Sequence, residues 1–117
     1  MEFEQENAGD VTIVRFKEKK LTYQESPELK TLLLSLVVEP GEKILISLAT
    51  VDTMDSTGLG AFLFGVRQAD QHEKDMRFCC ASDKIQSLVR IAHIESVIDL
   101  YDSEKEALKA FGAEEVS

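Results

Sequence analysis

The chain has 117 residues, with 13 Lys and Arg against 22 Asp and Glu, for a formal net charge of −9. Its 44% hydrophobic and 30% charged residues exclude a disordered chain and fit one domain with a genuine core. The acidic balance excludes a nucleic-acid partner, which needs clustered Lys and Arg, and suits a protein partner with a basic patch.

No apolar run approaches the ~18 residues needed to cross a bilayer, so membrane insertion is not expected. The acidic start, Met1-Glu2-Phe3-Glu4-Gln5-Glu6, lacks the order of a secretory signal, which makes the cytoplasm the expected location. One domain is expected over 1–112, followed by a short acidic tail at 113–117.

Phe3 to Glu6 reads as a strand, Asn7-Ala8-Gly9-Asp10 as a turn, and Val11 to Phe16 as the second strand of a hairpin. Lys17 to Tyr23 is a connecting stretch. Ser26-Pro27 predicts a helix start, with serine as N-cap and proline at the first helical position. Leu29, Leu32, Leu33, Leu36 and Val37 supply the apolar stripe, and Pro40-Gly41 ends it.

Ile44 to Leu48 is a nearly continuous apolar run, as in a strand buried on both faces. After a loop from Ala49 to Asp55, the spacing of Leu59, Phe62, Leu63 and Val66 predicts a second helix from near Ser56 to near Gln71. Met76 to Cys80 forms a further strand. Ser82 caps a third helix carrying Ile85, Leu88, Val89 and Ala92, and Val97 to Leu100 makes a last strand. Ser103 and Glu106 stand in capping-box order before a fourth helix. The order β-β-α-β-α-β-α-β-α implies an α/β fold: a mixed, mostly parallel sheet with an N-terminal β-hairpin and about four helices.

The adjacent Cys79 and Cys80 match neither a zinc nor a CxxC spacing. Neighbours on a strand point to opposite faces, so no disulfide is expected between them.

In open α/β sheets, function gathers where strands end. The loop after Ile44–Leu48 carries Val51-Asp52-Thr53-Met54-Asp55-Ser56-Thr57-Gly58-Leu59-Gly60. Ser56 stands at or beside a helix start, where free N–H groups welcome a serine oxygen or a phosphate. Gly58 and Gly60 leave the first turn bare, for close packing within the chain or for a partner's backbone. A nucleophile elbow fails, because Met54 replaces the first glycine of G-x-S-x-G and the only bases, His72 and His93, fall after helices. Gly-Lys-Ser and Gly-Lys-Thr are absent, and Asp52 and Asp55 lack further ligands at metal spacing, so no catalytic residue, metal or cofactor is expected and the chain is read as no enzyme.

The Asp55-Ser56-Thr57-Gly58-Leu59-Gly60 stretch after an apolar strand resembles the signature of STAS domains, specifically bacterial anti-sigma factor antagonists. The resemblance extends over the hairpin, Ala81-Ser82-Asp83-Lys84-Ile85 and the closing Asp102 to Leu108 segment. It implies that the unphosphorylated protein binds an anti-sigma factor and frees the sigma factor. It also implies that this anti-sigma factor, a serine kinase, phosphorylates Ser56, and that a phosphoserine phosphatase reverses the step. Many relatives carry an acid in a Gly-x-Leu-Asp pattern after the second strand, where this chain has Lys19-Lys20-Leu21-Thr22. The alternative is a STAS subunit that does not switch, within a lipid-transport or stress-signalling assembly. The partner surface is expected at Thr22, Met54, Asp55, Ser56, Thr57, Gly58 and Gly60. Helical geometry puts Phe64 and Arg67 on the side of the second helix away from Leu59, Phe62 and Val66, where Phe64 either anchors this surface or packs against the first or third helix.

Overall fold

The computed structural model describes the backbone of residues 1–116 and the side chains of residues 1–112. Its elements are β1 (Phe3–Ala8), β2 (Val11–Phe16), β3 (Lys20–Leu21), α1 (Ser26–Val38), β4 (Lys43–Ser47), β5 (Thr53–Met54), α2 (Ser56–Gln71), β6 (Asp75–Cys79), α3 (Asp83–Ile91), β7 (Leu100–Tyr101) and α4 (Glu104–Val116). Of the tail expected at 113–117, Ser117 lies outside the described residues.

Side-chain alternation builds two layers of core. On β2, Val14 and Phe16 face one side of the sheet, while Val11 and Ile13 face the other. The same division separates Ile44 and Ile46 from Leu45 on β4. The larger cluster lies under α1, α2 and α3, where Phe62 meets Phe16 and Phe78 edge-on, with centroids 6.1 and 5.1 Å apart. The smaller cluster lies under α4, around Ala107 and Phe111. Arg77 is buried on this side, its guanidinium 4.5 Å from the Phe111 ring centroid and bonded to Asp75 and the Tyr101 hydroxyl.

The main sheet runs β1-β2-β4-β6-β7, antiparallel only between β1 and β2. This is the expected α/β architecture with its hairpin and four helices. The hairpin turn is tighter than expected, because β1 continues to Ala8 and Gly9 takes φ +62°. The last strand is Leu100–Tyr101 rather than Val97 to Leu100. The N–H groups of Val97 and Ile98 both donate to the Ile94 carbonyl, which holds that stretch in a turn despite its β-branched residues.

Ser26 does not cap α1. The chain turns at Thr22, whose carbonyl accepts from the N–H groups of Glu25 and Ser26, and Glu25 occupies the capping position. The two shortest strands, β3 and β5, pair in parallel as a separate ribbon, Lys20 with Thr53 and Leu21 with Met54. The ribbon ties the stretch before α1 to the loop before α2 and brings Thr22 beside Asp55.

Candidate functional site

The site is assembled around Asp55, the N-cap of α2 in extended backbone. Its Oδ1 accepts from the N–H groups of Thr57 and Gly58, at 3.0 and 3.1 Å, and from the Thr57 hydroxyl at 2.6 Å. Its Oδ2 accepts from the Tyr23 N–H at 3.1 Å, across the ribbon. The Thr57 hydroxyl above all, with the N–H donors of Gly58, Tyr23 and Thr57, holds the Asp55 carboxyl below the usual carboxylate range, against the opposing effect of desolvation. With these donors engaged, Asp55 serves as the cap of α2.

Ser56 is the first helical residue and is exposed. The cap is therefore Asp55, and among the described residues no hydrogen bond engages the Ser56 hydroxyl. Thr57, also exposed, has its hydroxyl committed to Asp55. The backbone O of Thr57 faces the buried Ser26, whose hydroxyl donates to it at 3.4 Å and joins the starts of α1 and α2.

Gly58 is buried. A Cβ there would collide with the Leu21 carbonyl oxygen and crowd Met54 Cγ at 3.0 Å. The glycine lets α2 sit directly on the ribbon. Gly60 has open space where a Cβ would stand. Farther along α2, Phe64 is half-buried with Lys30 Nζ 6.0 Å from its ring centroid, and Arg67 is exposed.

Thr22, Asp55, Ser56 and Thr57 thus come together, with Met54 and Gly58 beneath them and Gly60, Phe64 and Arg67 continuing along the helix. Two neighbours were not foreseen from sequence. Tyr23 is 67% exposed with its backbone held by Asp55. Glu25 Oε1 accepts from the Thr22 N–H and hydroxyl, both at 2.9 Å, which sets its pKa below the usual range, the N–H contributing most. The signal for Glu25 was present: Thr22-x-x-Glu25 is the order of a capping box. His72 stays remote, since the 16 residues of α2 carry it roughly 24 Å from Ser56 at helical rise.

With this geometry in place, comparison with known proteins gives the class. The STAS domain family matches residues 2–107, and the chain belongs to that family. Within it, the chain is 31% identical over 72 residues to an anti-sigma-B factor antagonist of Staphylococcus epidermidis, covering 62% of this chain and 67% of the relative. An anti-sigma factor antagonist (STAS) domain protein from Planctomyces limnophilus has the same fold, at TM-score 0.84 and 19% identity over 94% of this chain and 97% of that one. The Bacillus cell fate determinant SpoIIAA in its phosphorylated form superposes at TM-score 0.69 and 14% identity, over 94% of this chain and 99% of that one. Among the described residues, no helix is long and apolar enough to cross a membrane.

Proposed function

We propose that this protein is an anti-sigma factor antagonist that binds its anti-sigma factor when Ser56 is unmodified and releases it when Ser56 is phosphorylated. The observation that carries the reading is the contrast within the motif. The Thr57 hydroxyl is tied to Asp55 at 2.6 Å, whereas Ser56 presents a free hydroxyl on the surface. Phosphoryl transfer requires an oxygen that can be placed in line with the γ-phosphate, and only Ser56 offers one without dismantling the cap.

The charge argument supports the same switch. A phosphoserine adds about −1.5 to −2 charges at neutral pH. The N–H groups of Thr57 and Gly58 already serve Asp55, so a phosphate on Ser56 does not displace the cap cheaply. It stays on the surface, beside Asp55, where docking must strip water from it. SpoIIAA, a fold neighbour, exists in unphosphorylated and phosphorylated forms, which is the precedent for such a pair of states. The partners in this reading are an anti-sigma factor that is itself a serine kinase and a phosphoserine phosphatase. Thr22, Met54, Thr57, Gly58, Gly60, Phe64 and Arg67 form or support the docking surface around Ser56. The acid that many relatives carry at the place of Thr22 has a local substitute in Glu25, whose carboxylate lies on the Thr22 N–H and hydroxyl.

The test is incubation with candidate anti-sigma kinases and ATP, followed by phosphosite mapping. Phosphate is expected on Ser56 alone, and Ser56→Ala abolishes incorporation while circular dichroism stays unchanged. Incorporation that persists in Ser56→Ala, for instance on Thr57, overturns the assignment. Binding without incorporation by any kinase favours a subunit that does not switch.

A further inference from the structure

On the far side of the sheet from Phe62, β6 ends at Cys79 and the next residue leaves the strand. Cys80 takes φ +66°, a left-handed conformation rare for a residue with a Cβ. The alternation of a strand therefore does not apply to this pair, and both sulfurs come to one place, with Cys80 Sγ 3.3 Å from Cys79 Sγ. Both cysteines are free thiols. The backbone is held on both sides: the Leu48 N–H donates to the Cys79 carbonyl at 2.9 Å, and the Cys80 N–H to the Tyr101 carbonyl at 3.0 Å. The close approach of the sulfurs thus belongs to a strand end whose backbone is hydrogen-bonded on both sides.

We propose that Cys79 and Cys80 form a redox-sensitive thiol pair, closed by a peroxide into a vicinal disulfide and reopened by thiols. The two sulfurs differ in access. Cys79 is buried against the α4 cluster, and burial pushes its thiol up to about 12, whereas Cys80 is partly exposed. Cys80 therefore meets the oxidant. Its sulfur attacks one peroxide oxygen, the S–O bond forms as the O–O bond breaks, and the thiol proton leaves with the released hydroxide as water. Cys79 sulfur then attacks Cys80 sulfur. The S–S bond forms, the S–O bond breaks, and the Cys79 proton leaves with the second hydroxide as water. Two electrons pass from the thiols to one peroxide, which ends as two waters. Adjacent Cα atoms lie about 3.8 Å apart across a trans peptide, below the ~4.4 Å at which unstrained disulfides begin. Strained disulfides are the reducible ones, so ordinary thiols reopen this bond.

The test treats the folded full chain with hydrogen peroxide, removes the peroxide with catalase, and alkylates under denaturing conditions before intact mass and peptide mapping. The expected result is a monomer lighter by two hydrogens, with both thiols protected from alkylation, the link mapped within the Cys79–Cys80 peptide, and full recovery after dithiothreitol. Cys80→Ser loses no hydrogens. Cys79→Ser stops at a Cys80 sulfenic acid that dimedone traps. The proposal is overturned if both wild-type thiols remain open to alkylation, if Cys80 gains oxygen without forming the link, or if the bond joins two chains.

Discussion

Ser56 and Asp55 divide the work of one short loop: one presents a hydroxyl and the other holds the backbone that presents it. Charge is the variable at position 56. Ser56→Asp places a carboxylate directly beside Asp55, on the surface that loses its water on docking in the proposed reading. It carries less charge and fewer acceptor oxygens than phosphoserine. Its expected penalty is therefore a loss of about 1–3 kcal/mol in affinity for the anti-sigma partner, the range for an uncompensated polar group in an interface. Titration calorimetry reads it directly, and unchanged affinity would put Ser56 outside the contact surface. At position 55 the variable is acceptor capacity. Asp55→Ala removes the acceptor for Thr57, Gly58 and Tyr23, so a stability loss of about 0.5–2 kcal/mol is expected from the cap. Asp55→Asn keeps one carbonyl oxygen for the helix N–H groups but turns an amide toward Tyr23, so its urea midpoint should fall between those of wild type and alanine.

The element that decides the geometry is the contact of α2 with the β3–β5 ribbon, and its two glycines separate fold from docking. Helix propensity favours alanine over glycine by roughly 0.8–1 kcal/mol at either position. At Gly58 that gain is outweighed, because the new Cβ collides with the Leu21 carbonyl oxygen, an atom fixed in the backbone. Overpacking of this kind costs about 1–3 kcal/mol, so Gly58→Ala should lower the melting temperature. Gly60→Ala meets open space and should raise it. If a partner's backbone approaches the bare turn, Gly60→Ala weakens binding even as it stabilises the fold; unchanged binding shows that no partner backbone comes close there.

The same elements show what could be read from sequence. The apolar stripe of Leu59, Phe62 and Val66 and the run Ile44 to Leu48 were legible because burial imposes periods of 3.6 and of near-continuity on them. The capping serine at 82 was legible because its bond, to the Ile85 N–H at 3.3 Å, is local. The ribbon was not. Two residues carry no period, and Lys20–Leu21 becomes a strand only through Thr53–Met54, far along the chain. At the start of α1, Ser26-Pro27 matches the common pattern of a helix start, while the capping box falls earlier, at Thr22-x-x-Glu25. The serine hydroxyl in fact reaches across to α2. The Cys79–Cys80 approach was illegible because it depends on one positive φ in a residue whose type does not demand it.

Across the whole molecule, two electrostatic effects oppose each other as the pH falls. A net charge of −9 repels itself within a body of radius of gyration 13.1 Å, and protonating scattered surface carboxylates relieves that repulsion below neutrality. Glu25, Asp55 and Glu104 act in the opposite sense. Each is held below its ordinary range by donors present only in the fold, Glu104 foremost by Arg15 at 2.7 and 2.9 Å. A carboxyl with a depressed folded pKa contributes stability above its unfolded value of about 4, and loses it as the pH falls through the lower folded value. The melting temperature in low salt should therefore rise modestly from pH 7 to about 5 and then drop below about 4. Salt distinguishes the two effects. The Debye length is about 8 Å at 0.15 M, shorter than the distances over which the net charge acts but longer than a hydrogen bond. Added salt should raise the melting temperature at pH 7 and flatten the neutral arm, while leaving most of the acid arm in place. A melting temperature that keeps climbing to pH 3 in low salt would show that self-repulsion outweighs these three anchored carboxylates throughout.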